Sequence, residues 1–174
     1  MTTPLVFDDS VSIIVPTFRR EEGLLRALES LKGQSSAHPN IELIVSDNDP
    51  NGSAKNIVAD FAKSAPFPTL YVHAPEPGVA NARNAALEAA KGRYIAFLDD
   101  DQTASENWLA EMLQTLRDGR FCAVFTRIIA KFDTPTIYSA FFSKFFAREF
   151  SELESGEIDH YYGCGSSLID RSVI

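Results

Sequence analysis

The sequence predicts an α/β domain with a Rossmann-like, mainly parallel sheet and helices on both faces of that sheet. Short apolar runs alternate with segments of helical periodicity, which is typical of strand–helix–strand crossovers. The chain has 174 residues, of which 45% are hydrophobic, and this is enough for one core. No internal repeat, low-complexity segment or domain boundary is visible. Residues 1–174 are therefore expected to form a single domain.

The first strand–helix–strand unit is predicted between residues 11 and 45. The run VSIIV at 11–15 predicts a buried strand that Pro16 closes. Residues 21–31 carry leucines at helical spacing and two glutamates in the first turn, where the helix dipole favours them. Residues 41–45 predict the second strand. The stretch that follows, 46–52, is rich in Asp, Asn, Pro and Gly and predicts a turn.

The same alternation continues along the chain. A helix at 54–65, a strand at 69–73 and a helix at 79–90 precede a short buried strand at 94–98. Ser105 is expected to cap a helix at 106–117. Strands are then expected at 121–129 and, entered through glycines, at 163–170.

Residues 137–150 (IYSAFFSKFFAREF) depart from this pattern because of their phenylalanines. At helical spacing Phe141, Phe142 and Phe145 share one face. The simpler interpretation is a helix that packs on the sheet. The alternative is a surface for a membrane, an apolar acceptor or a partner.

Charge and cysteine content narrow the classes of function. The chain has 16 basic and 24 acidic residues and no basic cluster, so a nucleic-acid partner is not expected. The two cysteines have no metal-ligand spacing, and Cys122 is expected in the core. The first ten residues lack the pattern of a signal peptide, and no apolar run approaches the ~20 residues of a membrane-spanning helix. A cytoplasmic location is expected.

The predicted strand at 94–98 ends in three adjacent carboxylates, Asp99, Asp100 and Asp101. Ligands bind at the carboxyl edge of an open α/β sheet. Adjacent carboxylates repel one another, and the hard cations Mg²⁺ and Mn²⁺ prefer oxygen ligands. Alternate residues of an extended segment share a side, so Asp99 and Asp101 can face one ligand. The alternative is a solvated acidic loop that caps the next helix.

Other polar residues should meet these carboxylates at the same edge. Thr17 and Phe18 follow the first predicted strand, and Asp47 with Asn48 follows the second. Arg83 lies in the helix that leads into the strand at 94–98, where a cation could contact a phosphate or a base. The alternative for Arg83 is an ion pair with Glu88 or another acid.

Taken together, these segments resemble the family 2 inverting glycosyltransferases, which have the GT-A fold. The similar segments are VSIIVPTFRR (11–20), ELIVSDND (42–49), GVANARNAALEAAKGRYIAFLDDD (78–101), ENWL (106–109) and, more weakly, GCGSSLIDRSVI (163–174). The resemblance implies a nucleotide-diphosphate-sugar donor, a divalent Mn²⁺ or Mg²⁺ ion and inversion at the anomeric carbon. The aromatic stretch adds the expectation of a saccharide or lipid-linked acceptor and of peripheral contact with the inner face of the membrane.

The resemblance also assigns roles to residues. It places the metal first on Asp101 and then on Asp99, and the ribose on Asp99 or Asp100. The nucleoside pocket would be lined by Pro16, Thr17 and Phe18, the base bound by Asp47, and the base and phosphates approached by Arg83.

Inversion also requires a carboxylate base that removes the proton of the acceptor hydroxyl. In the family this base follows the GCGSS-like strand, so it is expected beyond Ile174, and neither Asp159 nor Asp170 lies in the matching motif. The sequence therefore leaves a second hypothesis open, a nucleotide-sugar-binding or partner-docking module without catalysis. A dinucleotide-binding enzyme is disfavoured because no GxGxxG follows the first strand.

Overall fold

In the computed structural model, residues 10–36, 40–148 and 163–174 are described, and they contain one mixed sheet between helices. The strands are β1 (Val11–Thr17), β2 (Ile41–Asp47), β3 (Thr69–His73), β4 (Tyr94–Phe97), β5 (Ala123–Phe125) and β6 (Ser167–Asp170). The α-helices are α1 (Glu21–Leu31), α2 (Lys55–Ala62), α3 (Val79–Ala89), α4 (Trp108–Gly119) and α5 (Ser139–Phe146). Short 3₁₀ turns cover Lys32–Ser36 and Arg171–Val173.

The order of the strands places a switch point at the centre of the sheet. The order is β3-β2-β1-β4-β6-β5, with β1 to β4 parallel and β6 antiparallel to both of its neighbours. The chain runs outward from β1 through β2 to β3, and then returns to place β4 on the other side of β1. A crevice opens at such a point beyond the carboxyl ends of the strands. The predicted mainly parallel α/β sheet is confirmed.

Helices cover both faces of the sheet, as the sequence predicted. Successive side chains of a strand point to opposite faces, so Ile13 joins the larger core cluster and Ile14 the smaller one. The larger cluster includes buried residues of α1, α2 and α4, such as Leu28. The smaller cluster includes Ala86 of α3. These two layers hold β1 and β4 rigidly at the centre of the domain.

Strand β5 is shorter than the sequence predicted, and helix α4 is displaced by two residues along the chain. The strand expected at 121–129 is reduced to Ala123–Phe125, because it pairs only with residues 167–169 of the short β6. Cys122, expected in the core, is exposed at the entry to this strand. Helix α4 begins at Trp108 with Asn107 as its N-cap residue and no side-chain cap bond, and not at 106 after a Ser105 cap.

Helix α5 does not pack on the sheet, so the simpler interpretation of the aromatic stretch is wrong. None of its residues is buried, and Phe141 and Phe145 are 62% and 69% exposed. Their rings pack against each other, with centroids 5.2 Å apart. Residues 149–150, the end of the predicted aromatic stretch, lie outside the described residues. Among the helices of the described residues, none combines the length and apolar character needed to span a membrane.

Candidate active site

A cleft of about 660 Å³ lies at the carboxyl edge of the sheet, where the sequence predicted that polar loops would meet. It is formed by the loops after β1, β2 and β4 and by the first turns of α3. Its lining residues are Pro16, Thr17, Phe18, Arg19, Arg20, Asn48, Pro50, Pro77, Gly78, Val79, Ala82, Arg83, Asp99, Asp100 and Asp101. The three aspartates, Arg83 and the β1 loop are thus brought together across 16 to 83 positions of sequence.

Asp100 is the buried member of the carboxylate triplet, with 6% of its surface exposed. One oxygen accepts a hydrogen bond from the Thr17 hydroxyl at 2.8 Å, and the other lies 3.3 Å from the Arg20 guanidinium. Burial raises the pKa of Asp100, and the Thr17 hydrogen bond and the charge of Arg20 oppose this only in part. Asp100 therefore fastens the β4 loop to the β1 loop.

The Asp99 side chain forms an ion pair with Arg83. Arg83 Nη2 donates to Asp99 Oδ1 at 2.7 Å, so the partner of Arg83 is an acid other than Glu88. Among the described residues, the buried Nε of Arg83 has no hydrogen-bond partner in the protein. This nitrogen can therefore donate a hydrogen bond to a ligand at the wall of the cleft.

Asp99 is supported from behind by Gly165 in the loop that leads into β6. A Cβ atom on Gly165 would lie 2.2 Å from Asp99 Oδ2 and 2.9 Å from the side chain of Gln102. The loop is in turn held by Arg148, whose guanidinium donates to the carbonyls of Gly163 at 2.7 Å and Gly165 at 2.8 Å. The small residues of the GCGSS segment therefore permit a close approach of backbone to a site carboxylate.

Asp101 is the exposed carboxylate of the triplet. Its side chain is 60% exposed and accepts a hydrogen bond from Arg20 Nη1 at 2.6 Å. Sequence reasoning missed Arg20 altogether. The signal that could have found it is the pair of arginines directly after the β1 loop, since that loop was expected to meet the carboxylates.

Asp47 does not line the cleft. It is fully buried, and its oxygens accept hydrogen bonds from the amides of Asp49 and Ala54 at 2.9 and 2.8 Å and from the Tyr71 hydroxyl at 3.1 Å. Burial, aided by the hydrogen bond to Asp47, raises the pKa of Tyr71 to about 12. These hydrogen bonds hold the Asp47 carboxylate inside the protein, away from the surface of the cleft.

The next residue, Asn48, reaches the cleft and holds its far wall. Its amide donates to the carbonyls of Ala74 and Glu76, and its carbonyl oxygen accepts from the Gly78 amide at 2.9 Å. Gly78 has φ of 126°, a backbone conformation that residues with a side chain rarely adopt, and it is the N-cap residue of α3. Asn48 thereby fixes the loop that presents Arg83.

Phe18 and Arg19 form the rim of the cleft on the β1 side. Phe18 is 49% exposed, and the Arg19 guanidinium lies 5.0 Å from the centre of its ring. Arg19 also donates twice to Asp49 Oδ1 at 3.1 Å, which holds the pKa of Asp49 below its usual value. An exposed ring fixed in this way can stack on a planar ligand.

The donor set fits a divalent ion that a substrate helps to bind. In the parts of the chain that the structure describes, no three His, Cys, Asp or Glu side chains gather into a complete metal site. Mg²⁺ is commonly held by one or two carboxylates, waters and substrate phosphates instead. Asp101 and Asp99, at 60% and 32% exposure, supply such carboxylates to the cleft.

An open, mainly parallel sheet with a carboxylate-bearing cleft at its switch point defines a ligand-binding α/β domain. The sequence model described as glycosyl transferase family 2 matches residues 12–174, and the chain belongs to that family. The resemblance found in the sequence is thus confirmed.

Two curated relatives illustrate the similarity. The succinoglycan biosynthesis protein ExoM of Rhizobium meliloti is 35% identical over 159 residues, which are 91% of this chain and 51% of ExoM. The Escherichia coli protein WfgD, named as a UDP-Glc:alpha-D-GlcNAc-diphosphoundecaprenol beta-1,3-glucosyltransferase, is 36% identical over 107 residues, 62% of this chain and 39% of WfgD. The chain spans about half, or less, of the length of these relatives.

Solved structures confirm the GT-A fold class. The mannosyltransferase PcManGT of Pyrobaculum calidifontis, solved with GDP-Man and Mn²⁺, has a TM-score of 0.63 at 23% identity and covers 72% of this chain and 37% of its own. Residues 1–349 of Staphylococcus aureus TarS, solved with UDP, have a TM-score of 0.62 at 21% identity, with 73% and 38% covered. At these identities the comparison concerns the fold alone.

Proposed function

We propose that the cleft binds a nucleotide-diphosphate-sugar together with Mn²⁺ or Mg²⁺, and that the chain provides the donor half of an inverting sugar transfer. The observation that carries this proposal is the meeting of three carboxylates and two guanidinium groups at one edge of the sheet. Diphosphate and metal together carry charges of both signs, and a lining with both signs suits that pair.

The side chains of the cleft divide this task. Asp101, supported by Asp99, would hold the metal, and the unpartnered Nε of Arg83 would donate to a phosphate or to the base. Pro16, Thr17 and Phe18 would line the nucleoside pocket, with the exposed Phe18 ring against the base. Asp99 or Asp100 would hold the ribose. Asp47 would contribute to binding of the base chiefly by ordering the loop after β2. When bound, the metal would stabilise the negative charge that develops on the leaving diphosphate.

Inversion would need a further carboxylate to take the proton of the acceptor hydroxyl. Among the described residues that line the cleft, the acids are Asp99, Asp100 and Asp101, and each already has a guanidinium partner. No catalytic base is assigned to them. This same observation favours a second candidate function, a nucleotide-sugar-binding or partner-docking module that performs no transfer.

Binding calorimetry tests the donor site. UDP-, GDP- and dTDP-sugars are titrated into the chain with and without Mn²⁺, and binding of one of them should depend on the metal. Asp101→Ala should abolish that dependence, because it removes the exposed carboxylate of the triplet. Asp60→Ala, which removes an exposed acid of α2 outside the cleft, is the matched control. Equal, metal-independent binding by wild type and Asp101→Ala would refute the role of Asp101.

Transfer assays separate the two candidate functions. A binding module should bind the donor and release no nucleotide in the presence of saccharide or lipid-linked acceptors. Sustained transfer by this chain would show instead that the chain itself supplies the base. Slow release of free sugar without an acceptor would support the donor half of an enzyme.

The exposed face of α5 is proposed to contact the membrane or an apolar acceptor. Phe141, Phe145 and Phe146 are each more than 60% exposed and lie beside one cation, Lys144. Aromatic side chains with a cation at one edge are typical of surfaces that lie at a lipid interface. Co-sedimentation with anionic vesicles should decrease when Phe141 and Phe145 are replaced by serine, and no sedimentation of the wild type would refute membrane contact.

A further inference from the structure

The Arg20 side chain forms an ion pair with Asp101, the carboxylate on which the proposed metal site depends. Its Nη1 atom lies 2.6 Å from Asp101 Oδ2 and 3.3 Å from Asp100 Oδ1. The two acids are held differently. Asp100 is buried and also bonded to Thr17, whereas Asp101 is exposed. The Arg20–Asp101 contact is therefore the part of this network that can open without disturbing the core.

A divalent ion and this guanidinium compete for one carboxylate. A metal held by Asp101 would share the carboxylate whose Oδ2 atom accepts the hydrogen bond from Arg20. The guanidinium would then face a doubly positive ion at short range, so binding of the metal alone is expected to weaken the contact between Arg20 and Asp101. A ligand with negative charge beside the metal would remove this conflict by giving Arg20 another anion to bind.

Arg20 is better suited to such an exchange than the other arginines of the cleft. Its side chain is 56% exposed, whereas that of Arg83 is 19% exposed and bound to Asp99, which is packed against Gly165. Arg19 is directed to Asp49. Arg20 also lies at the N-terminal end of α1, among amides that favour an anion.

We propose that Arg20 is an exchangeable counter-ion for Asp101. It neutralises the carboxylate while the cleft is empty, and it moves to the diphosphate when metal and nucleotide bind together. This inference rests on the proposed donor site and adds a consequence to it. Metal and nucleotide should each strengthen the binding of the other, and by the same factor, since such coupling is reciprocal.

The test measures Mn²⁺ binding directly. Free Mn²⁺ is measured by electron paramagnetic resonance in the presence of the 174-residue chain, with and without a saturating nucleoside diphosphate, GDP or UDP. The Mn²⁺ that the nucleotide itself binds is determined in a protein-free sample and subtracted. In the wild type, the nucleotide should tighten Mn²⁺ binding by roughly tenfold or more, within the range of ordinary coupling. In Arg20→Gln, Mn²⁺ alone should bind several-fold more tightly than in the wild type, and the gain from nucleotide should shrink to about twofold or less.

Two further variants keep the result specific. Arg26→Gln removes the same charge from an exposed position of the same helix, outside the cleft, and should leave the coupling as in the wild type. Arg20→Lys keeps the charge but loses the forked geometry, so it should retain part of the coupling. Circular dichroism confirms that each variant is folded.

The outcomes separate this inference from the proposed function. If nucleotide binds with Mn²⁺ and Arg20→Gln shows the same coupling as Arg26→Gln, the counter-ion role is wrong while the donor site stands. If neither nucleotide binds any of the proteins, with or without Mn²⁺, the donor site and the role of Arg20 fall together. Weaker Mn²⁺ binding by Arg20→Gln in the absence of nucleotide would also contradict the exchange.

Discussion

The two halves of the strand order differ in how deeply their elements are buried. We call the half with β1 to β4 the cleft side, and the half with β5, β6 and the neighbouring α5 the α5 side. On the cleft side, all seven residues of β1 are buried, and α1 buries Leu24, Ala27, Leu28 and Leu31. On the other side, the three residues of β5 are only partly buried and α5 buries none. The comparison teaches that the cleft stands on elements with fully buried side chains, whereas the α5 side reaches the core through few residues, such as Leu168 of β6.

Arg148 forms one of the polar connections between the two sides. It follows α5, and its guanidinium donates to the carbonyls of Gly163 and Gly165. Its backbone also pairs with that of Ile128 in both directions. Gly165 in turn packs against Asp99. A movement of the α5 side would thus be transmitted to Asp99 in the cleft through the loop that contains Gly165.

The largest expected difference between the sides is in stability. Leu28→Ala removes a fully buried side chain from the larger core cluster and should lower the free energy of unfolding by about 2–5 kcal/mol. Phe145→Ala removes a larger side chain that is 69% exposed and should change it by only about 0.5 kcal/mol. Urea denaturation measures both. A cost for Phe145→Ala close to that of Leu28→Ala would show that α5 is packed after all.

The next effect tests the loop where the two sides meet. In Gly165→Ala the new methyl group would meet Asp99 Oδ2, the end of a side chain that can turn away only by leaving Arg83. Affinity for the nucleotide donor should therefore fall by roughly tenfold, about 1.4 kcal/mol, with a smaller loss of stability. Gly163→Ala is the control, because nothing lies within 4 Å of its Cβ position. Equal affinities of the two variants for the nucleotide donor would show that Gly165 does not support the site.

The smallest effect concerns pH, and it should have opposite sign on the two sides. On the cleft side, burial raises the pKa of Tyr71 to about 12, so the stability it contributes is present below its ordinary value of 10 and is lost as pH rises toward 12. On the other side, burial of Asp170 is outweighed by hydrogen bonds from Ser172 and Arg93, which lower its pKa. Its contribution is present above its ordinary value and is lost as pH falls through the lowered one.

Titration checks these two signs. Absorbance at 295 nm should show that Tyr71 ionises near pH 12, as a step that is lost in Tyr71→Phe. Carboxyl NMR should place the Asp170 pKa below the ordinary value, and Arg93→Gln should raise it, because one donor to the carboxylate is lost. An unchanged Asp170 pKa in Arg93→Gln would assign the shift to Ser172 alone.

Local pattern explains how much of this molecule was predictable. The four parallel strands, the helices that cover them and the edge at which Asp99–Asp101 emerge follow from apolar runs and helical spacing over five to fifteen residues. The short β5 and the exposed α5 were not predictable in this way. Their extent depends on partners that the sequence places 40 or more positions away, as in the pairing of Ala123 with Ile169.

The sequence by itself determined the family, the sheet and the presence of a carboxylate-bearing edge, because each of these depends on residues that are contiguous in the chain. Only the tertiary structure decided which charge faces which. Arg20 meets Asp101 across 81 positions, and Asp47 is buried beneath the cleft by Tyr71 and the amide of Ala54. Partner choice among charged groups depends on distances in space, and the same triplet of aspartates would look identical in sequence with or without its guanidinium partners.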